Sequence, residues 1–154
     1  MKEDRLRLRF IINPHSGVNS KNLILDSIPM FIDGSKFQYE ICFTEYAGHA
    51  TQIAAAAVND KVDVVVAIGG DGTVNEIARS LIHTETALGI IPCGSGNDYV
   101  RTYGKAEEFL DLDNVIGGEA IAVDAIDCGE LISLNIASIG LDASVGKQMQ
   151  KYKS

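Results

Sequence analysis

The amino-acid sequence predicts an α/β protein in which a mostly parallel sheet is flanked by helices and followed by the start of a second, β-rich lobe. Over the first 118 residues, short apolar runs of strand type alternate with helix-like segments. After Gly117-Gly118 the pattern changes to two β-rich runs at hairpin spacing. We therefore divide the chain into an α/β lobe, residues 1–118, and the beginning of a second, β-rich lobe, residues 119–154.

The first half of the α/β lobe is predicted to contain strand, helix, strand and helix in that order. The two strands are runs rich in β-branched and aromatic residues, and the two helices carry apolar or alanine side chains at helical spacing. Pro29 interrupts the first helix, and Gly48 leads into the second. The four segments are residues 6–12, 21–32, 37–44 and 49–58.

The second half of the lobe adds two more strands with a helix between them. The third strand is almost wholly apolar and ends on a Gly-Gly-Asp-Gly turn, and the fourth ends at a proline and a second glycine-rich loop. The segments are residues 63–68, 73–82 and 87–91, followed by short helices at 98–103 and 107–116. This order implies a parallel sheet with helices on both faces and with ligands at the carboxyl ends of its strands.

The last part of the chain is predicted to form a hairpin and a helix. Residues 120–127 and 131–137 are joined by Cys128-Gly-Glu130, and residues 141–152 are helix-like. A two-stranded piece is rarely stable alone. We therefore expect the hairpin to pack on the first lobe or to pair outside this chain, and its exposed strands make homo-oligomerisation plausible.

Composition excludes several classes of function. The formal net charge of −8 argues against nucleic-acid binding through a basic field and against strong attraction to anionic lipid. The arginines of the first strand, Arg5, Arg7 and Arg9, are interpreted as a solvated strand edge. The three cysteines form no C-x-x-C pair, so a reducing, cytoplasmic location fits. No apolar stretch approaches the length of a membrane span, so we expect any membrane contact to be peripheral.

Three strand-end loops combine glycine with hydroxyl or carboxylate side chains, at residues 13–17, 69–73 and 94–98. In a parallel sheet all three open on the same edge. Glycine lets a phosphate approach the backbone, helix-start N–H groups attract anions, and Asp71 can orient Mg²⁺ or a nucleotide hydroxyl. The chain lacks the Gly-Lys-Ser/Thr of a P-loop, which argues against a P-loop protein. It also lacks the third glycine of the dinucleotide fingerprint, which argues against a Rossmann dehydrogenase. The pattern indicates nucleotide chemistry.

The three motifs together resemble the diacylglycerol kinase catalytic domain family, especially its bacterial lipid kinases. They read Asn13-Pro-x-Ser-Gly17, Gly69-Gly-Asp-Gly-Thr-Val-Asn-Glu76 and Ile91-Pro-Cys-Gly-Ser-Gly-Asn-Asp98. The resemblance implies a diacylglycerol/NAD kinase-like lobe and ATP-dependent, Mg²⁺-assisted phosphoryl transfer to a primary hydroxyl of a lipid such as diacylglycerol. Family members run to about twice this length, on the order of two domains. The chain therefore looks like the N-terminal, nucleotide-binding lobe of such a kinase.

The resemblance also implies roles for individual residues. Asn97 and Asp98 are implied to contact the substrate, and the ligands of the metal are not assigned. The family's catalytic base lies in the second lobe, so no residue of this chain is assigned as catalytic and we expect the chain alone to be a poor kinase. The residues implied to bind the nucleotide are Asn13, Pro14, His15, Ser16, Gly17, Thr44, Gly69, Gly70, Asp71, Gly72, Thr73, Glu76 and Ser95.

Local structural roles are predicted beside these. Thr73 and Glu76 have the spacing of a capping box at a helix start, and Asn97 or Asp98 fits a helix cap. His49 is interpreted as structural or peripheral to the site. Two other functions remain open: an NAD kinase-like enzyme, which shares the Gly-Gly-Asp-Gly-Thr motif, and a non-catalytic nucleotide-binding module.

Overall fold

The computed structural model describes residues 5–15, 21–135 and 137, and it divides the chain into two compact units. The first unit is Met1–Ala122 and the second is Val123–Ser154. The helix expected at residues 141–152 lies outside the described residues. The division of the chain at residue 118 stays a prediction.

The first unit contains four strands and five α-helices within the described residues. A 3-10 helix, Ala106–Leu110, lies between the last two α-helices. The strands are β1 (Leu6–Ile12), β2 (Phe37–Phe43), β3 (Val64–Gly69) and β4 (Ala87–Pro92), and the helices are α1 (Lys21–Phe31), α2 (His49–Asn59), α3 (Asp71–Leu81), α4 (Asp98–Arg101) and α5 (Leu112–Gly117).

The four strands form one parallel sheet in the order β2-β1-β3-β4. Phe10 in the middle of β1 lies beside Ile41 on one side and Val66 on the other. This architecture confirms the predicted α/β fold. The chain leaves β1 toward β2 on one side and leaves β3 toward β4 on the other, an arrangement that in open α/β sheets places ligand sites at the carboxyl ends of these strands.

The apolar core on one side of the sheet joins β1, β3 and β4 to helices α1 and α5. Its members alternate along the strands, as the two-residue period of a strand requires. Burying a large apolar side chain fully stabilises a fold by about 1.5–3 kcal/mol, so this cluster is a main source of stability. The core residues are Leu8, Phe10, Ile12, Ile28, Ile32, Val66, Ile68, Ile91, Cys93, Leu112 and Ile116.

Helices α2 and α3 contact each other, and α3 also contacts β3 and β4. The buried residues of α2 are alanines, Ala50, Ala54 and Ala57, whose small side chains let neighbouring backbone approach. The buried residues of α3 include the larger Val74 and Ile77. With helices over the sheet, β3 is buried along almost its whole length, which explains its continuous apolar run.

The interpretation of the first-strand arginines as a solvated edge is wrong about the edge and about Arg9, although Arg7 is exposed. β1 is a central strand, and the side chain of Arg9 is only 10% exposed. Its guanidinium lies 2.7 Å from Glu40 and 2.8 Å from Asp60. Burial tends to lower the pKa of Arg9, but the hydrogen bonds and charges of these two carboxylates outweigh it and raise that pKa.

The expected capping box at Thr73 is also wrong, because α3 begins two residues earlier, at Asp71. Its first intrahelical hydrogen bond runs from Val74 N–H to the carbonyl of Gly70. Glu76 accepts a hydrogen bond from Gly48 N–H at 3.1 Å instead of reaching back to Thr73. Helix α3 therefore begins as soon as β3 ends, with Gly70 as the residue between them.

In the second unit, Ile126–Asp127 (β5) and Ile132–Ser133 (β6) form the antiparallel hairpin that the spacing predicts, with strands of only two residues. Its turn is closed by a hydrogen bond from Cys128 N–H to the carbonyl of Leu131, and Gly129 has a φ of 86°. Both residues of β5 are exposed, so they lack the buried face that would extend the pairing.

None of the helices in the described part of the chain has the length and apolarity that crossing a bilayer demands.

Candidate functional site

The loops after β1, β3 and β4 meet at the carboxyl edge of the sheet. The Asn13 side chain donates a hydrogen bond to the hydroxyl of Thr73 in α3 at 3.4 Å, and Asn13 N–H donates to the carbonyl of Ile68 at 3.3 Å. Cys93 N–H donates to the carbonyl of Gly69 at 2.8 Å. These bonds hold the three glycine-containing loops together.

Gly70 and Gly94 are the point of closest approach between two of these loops. A Cβ placed on Gly94 would lie 2.5 Å from the Cα of Gly70, and a Cβ on Gly70 would lie 3.1 Å from the Cα of Gly94. Real Cβ atoms essentially never approach backbone as closely as 2.5 Å. The two loops can meet only because Gly94 has no side chain.

Asn97 organises the loop after β4. It has a left-handed backbone conformation, with φ 54°, and its side-chain amide bonds both backbone groups of Gly94, at 2.8 and 2.9 Å. Asn97 occupies the N-cap position of α4, as expected, but its side chain makes no capping hydrogen bond because it points back to Gly94. Asp98 does not cap α4 with its side chain either; that carboxylate is 61% exposed and lies 3.7 Å from Arg101.

Asp71 caps α4 from a distant part of the sequence. Its two carboxylate oxygens accept hydrogen bonds from Asp98 N–H at 3.1 Å and Tyr99 N–H at 2.9 Å. A Cβ on Gly96 would lie 3.3 Å from a carboxylate oxygen of Asp71 and equally 3.3 Å from one of Asp98. The two carboxylates thus both approach Gly96 closely, and a Cβ at that position would be crowded by both.

A cleft of about 230 Å³ lies beside these loops, in the first unit. Five of the residues that the motifs predict line it, and three further lining residues were not predicted. The predicted ones are Asn13, His15, Thr44, Thr73 and Glu76, and the others are Tyr46, Ala47 and Ala50. Tyr46 follows Thr44 by two residues in a strand-end loop, and no local pattern in the sequence marks it as a lining residue.

The remaining predicted residues lie around the cleft or outside the described part. Gly69, Gly70 and Gly72 surround the start of α3, and Pro14 and Ser95 are exposed in their loops. Ser16 and Gly17 lie outside the described residues.

The residues that line the cleft are held by their neighbours. His15 N–H donates to the side chain of Asn13 at 2.9 Å, and Thr44 N–H donates to the carbonyl of Ile12 at 2.9 Å. The carboxylate of Glu76 accepts from Gly48, whose φ of 85° favours glycine. The cleft is therefore largely preformed.

The start of α3 offers backbone donors to an anion. The N–H groups in the first turn of a helix have no intrahelical acceptor, and they carry the positive end of the helix dipole. Gly70 has no side chain with which to cap them, and a Cβ on Gly72 would meet nothing within 4 Å. Among the described residues, no group of three or more His, Cys, Asp or Glu side chains could hold a metal ion. A metal at this edge would therefore need oxygens from a ligand.

Comparison with known proteins identifies the family. The family model for the diacylglycerol kinase catalytic domain matches residues 7–128. Diacylglycerol kinases of Staphylococcus saprophyticus and Bacillus subtilis are 32% and 33% identical over 139 and 138 residues, which cover 88% and 87% of this chain. The chain spans about half the length of these relatives, since each match covers 46% of theirs.

A crystal structure of a diacylglycerol kinase from Bacillus anthracis has the same fold. It superposes with a TM-score of 0.70 at 24% identity, covering 97% of this chain and 53% of that one. The match to the family model covers most of the strands and loops described above. The chain belongs to the diacylglycerol kinase catalytic domain family.

Proposed function

We propose that this chain is the nucleotide-binding lobe of a lipid kinase that transfers the γ-phosphoryl group of ATP to a primary hydroxyl of a lipid such as diacylglycerol. The single observation that carries this proposal is the meeting of three glycine-containing strand-end loops at the carboxyl edge of the sheet, beside a cleft lined from the loops after β1 and β2 and from α2 and α3. Phosphoryl transfer needs mainly positioning and charge neutralisation. A site of backbone amides and short polar side chains suits that task.

The nucleotide phosphates are proposed to bind at the first turn of α3, where backbone N–H groups point outward and Gly72 leaves open space. The side chains of Asn13, Thr44 and Thr73 line the adjoining cleft and supply amide and hydroxyl groups to the rest of the nucleotide. Glu76 is proposed to act indirectly, because its carboxylate accepts the Gly48 N–H and shapes the cleft wall.

Magnesium fits this edge as a partner of the phosphates. Mg²⁺ is usually held by one or two carboxylates together with phosphate oxygens and water. Asp71 and Asp98 supply two carboxylates that lie close together at Gly96, and the Asp71 carboxylate, which accepts one hydrogen bond per oxygen, retains further lone pairs. When bound, the ion neutralises charge on the transferring phosphoryl group.

The general base is assigned to no residue of this chain. A base must come within hydrogen-bond reach of the lipid hydroxyl, and its contribution is typically about 10²–10⁴-fold. We propose that it is supplied from outside residues 1–154, so that this chain binds ATP but transfers phosphate slowly. The lipid is proposed to meet the site through peripheral contact with a membrane, in the cytoplasm.

The test is a calorimetric titration of Mg·ATP into the chain, with an isosteric variant and a matched control. Thr44→Val removes a hydroxyl at the cleft, and Thr86→Val removes a hydroxyl that bonds the carbonyl of Val62 next to the start of β4, at the other end of the sheet. We expect saturable binding that Thr44→Val weakens and Thr86→Val leaves unchanged. Absence of binding to the wild-type chain would overturn the proposal for this chain.

Acceptor assays separate the alternatives. Labelled ATP is offered with diacylglycerol in mixed micelles or with NAD, using this chain and a version extended to the full gene. Transfer to diacylglycerol by the extended protein supports the lipid kinase. Transfer to NAD would indicate an NAD kinase-like enzyme, and binding without any transfer would indicate a non-catalytic nucleotide module.

A further inference from the structure

Tyr46 is an exposed aromatic residue at the wall of the cleft. It is 53% exposed, although it lies beside Thr44 and Ala47 among the lining residues. An aromatic ring carries a large apolar surface and prefers to stack against another ring. Neither the family motifs nor the packing of the sheet explains a ring at this place.

The ring of Tyr46 is fixed in its orientation before any ligand arrives. It lies parallel to the ring of His49, with 4.5 Å between ring centroids and 5° between their planes. Its hydroxyl donates a hydrogen bond to the side-chain oxygen of Gln52 at 3.0 Å. His49 is held in turn, because its Nδ1 accepts the Glu45 N–H at 3.1 Å.

We infer that Tyr46 is the platform on which the base of the bound nucleotide stacks. His49 covers one face of the ring, so the exposed surface of Tyr46 is its opposite face and edge. Asn13, Thr44 and Thr73 line the same cleft as Tyr46 and supply polar groups for the sugar and phosphates of a nucleotide whose base stacks on the ring. The inference rests on the proposed function, since it names the residue that holds the base at that site.

The fixed ring also has an energetic consequence. A side chain that is already held by stacking and a hydrogen bond loses little freedom on binding, so more of the stacking energy appears as affinity. Every base has a π-face, so stacking of this kind tolerates different bases. We therefore assign to Tyr46 a contribution to the affinity for the base, but no selectivity among bases.

The test compares two ligands that differ by the nucleoside. Mg·ATP contains the base, whereas Mg·tripolyphosphate offers only the phosphates. Tyr46→Ala is expected to weaken ATP binding about ten-fold, which is ~1.4 kcal/mol, and to leave tripolyphosphate binding unchanged. Tyr46→Phe keeps the ring and is expected to bind ATP within about two-fold of wild type, since stacking needs no hydroxyl.

Tyr103→Ala is the matched control. Tyr103 is 48% exposed, contacts the ring of Tyr99, and is not among the residues that line the cleft. Its removal is expected to leave both affinities unchanged.

A direct optical readout is available because the chain contains no tryptophan. Tyr46→Trp places a single indole at the proposed platform. ATP is expected to quench the fluorescence of this indole, because the base stacks on the ring. Tripolyphosphate is expected to leave the fluorescence unchanged.

The outcomes distinguish this inference from the proposed function. Unchanged ATP affinity in Tyr46→Ala would overturn the platform and leave the nucleotide site intact. Equal losses for ATP and tripolyphosphate would also overturn it, because Tyr46 would then act on the phosphates or on the fold. Failure of the wild-type chain to bind either ligand would overturn the proposed function and the platform with it.

Discussion

Gly70 and Gly94 pack backbone against backbone, although they belong to loops that follow different strands. Gly70 lies between β3 and α3, and Gly94 lies in the loop after β4. The hydrogen bond from Cys93 N–H to the carbonyl of Gly69 lies next to this contact. Because the contact is between main chains, neither loop can yield by turning a side chain, and the geometry of both loops is coupled.

Gly94→Ala is expected to destabilise the protein. The new Cβ would lie 2.5 Å from the Cα of Gly70, and relieving such overpacking typically costs about 1–3 kcal/mol. Urea denaturation measures the loss, with Gly34→Ala as control, since a Cβ on Gly34 meets nothing within 4 Å. Equal stability of the two variants would contradict the close approach.

Gly72→Ala is expected to increase the stability of the protein and to weaken nucleotide binding. Gly72 lies in the first turn of α3 with open space around it, so alanine should raise the free energy of unfolding by about 0.5–1 kcal/mol. If phosphates occupy that space, the added methyl group should weaken Mg·ATP binding. Denaturation and calorimetry on the same variant check both effects, and tighter or unchanged binding would place the phosphates elsewhere.

Asp71→Asn is expected to destabilise the start of α4 as well as any ligand contact. The amide has one acceptor oxygen for the two N–H groups of Asp98 and Tyr99, and its NH₂ group would face one of them. Loss of a charge-assisted hydrogen bond costs about 1–2 kcal/mol at a partly exposed site. Amide hydrogen exchange of residues 98–101 measures the effect.

Protection of residues 98–101 that equals the wild type would show that Asp71 is not the cap of α4. A loss of ATP affinity in the same variant would reflect the disturbed β4 loop as well as any contact between Asp71 and the ligand.

In the ion-pair cluster of Arg9, Glu40 and Asp60, removing the positive charge and removing the two negative charges should destabilise the protein by different amounts. Arg9→Met leaves two carboxylates that are about half exposed, so we expect a loss of about 1 kcal/mol. The double variant Glu40→Ala/Asp60→Ala leaves a buried guanidinium without these partners, and we expect about 2–4 kcal/mol. Urea denaturation compares the two.

Lys36→Met is the control for this comparison. Lys36 lies 3.9 Å from Asp33 in an exposed pair, so its removal should change stability by less than about 0.5 kcal/mol. A larger cost for Arg9→Met than for the double variant would contradict the proposed asymmetry.

Tyr99 is expected to make the protein sensitive to alkaline pH. Burial, and then the hydrogen bond with Tyr103, raises the pKa of Tyr99 above its ordinary value of 10.0. Because the folded state favours the neutral phenol, this stabilisation is complete below pH 10 and is lost as the pH rises through the folded-state pKa. Absorbance titration at alkaline pH should show one late-titrating tyrosine that is absent from Tyr99→Phe. Simultaneous titration of all tyrosines would contradict the raised pKa.

Much of the fold was predictable from local patterns. The four strands and three main helices of the α/β lobe were expected within a few residues of their observed bounds, because apolar periodicity and glycine-rich turns are local signals. The parallel arrangement followed from the alternation of strands and helices, since parallel neighbours need a crossover between them.

The errors arose where a side chain has a partner far away in the sequence. Thr73 and Glu76 have capping-box spacing, yet Glu76 bonds Gly48, which lies 28 positions earlier. The arginines of the first strand were interpreted as belonging to an edge strand, because sequence alone does not show that β1 lies between β2 and β3. Tyr46 was missed because no local pattern distinguishes a ring on a cleft wall from any exposed aromatic residue.

The sequence by itself determined the class of fold, the order of its elements and the three loops that carry glycine and polar side chains. These depend on backbone preferences and on the period of apolar residues, which neighbouring residues set. Only the tertiary structure decided that Asp71 caps a helix 27 to 28 residues later, that Gly94 must lack a side chain, and that Tyr46 presents a fixed ring to the cleft. Those relationships exist because the sheet brings distant loops to one edge, where packing and hydrogen bonding select the partners.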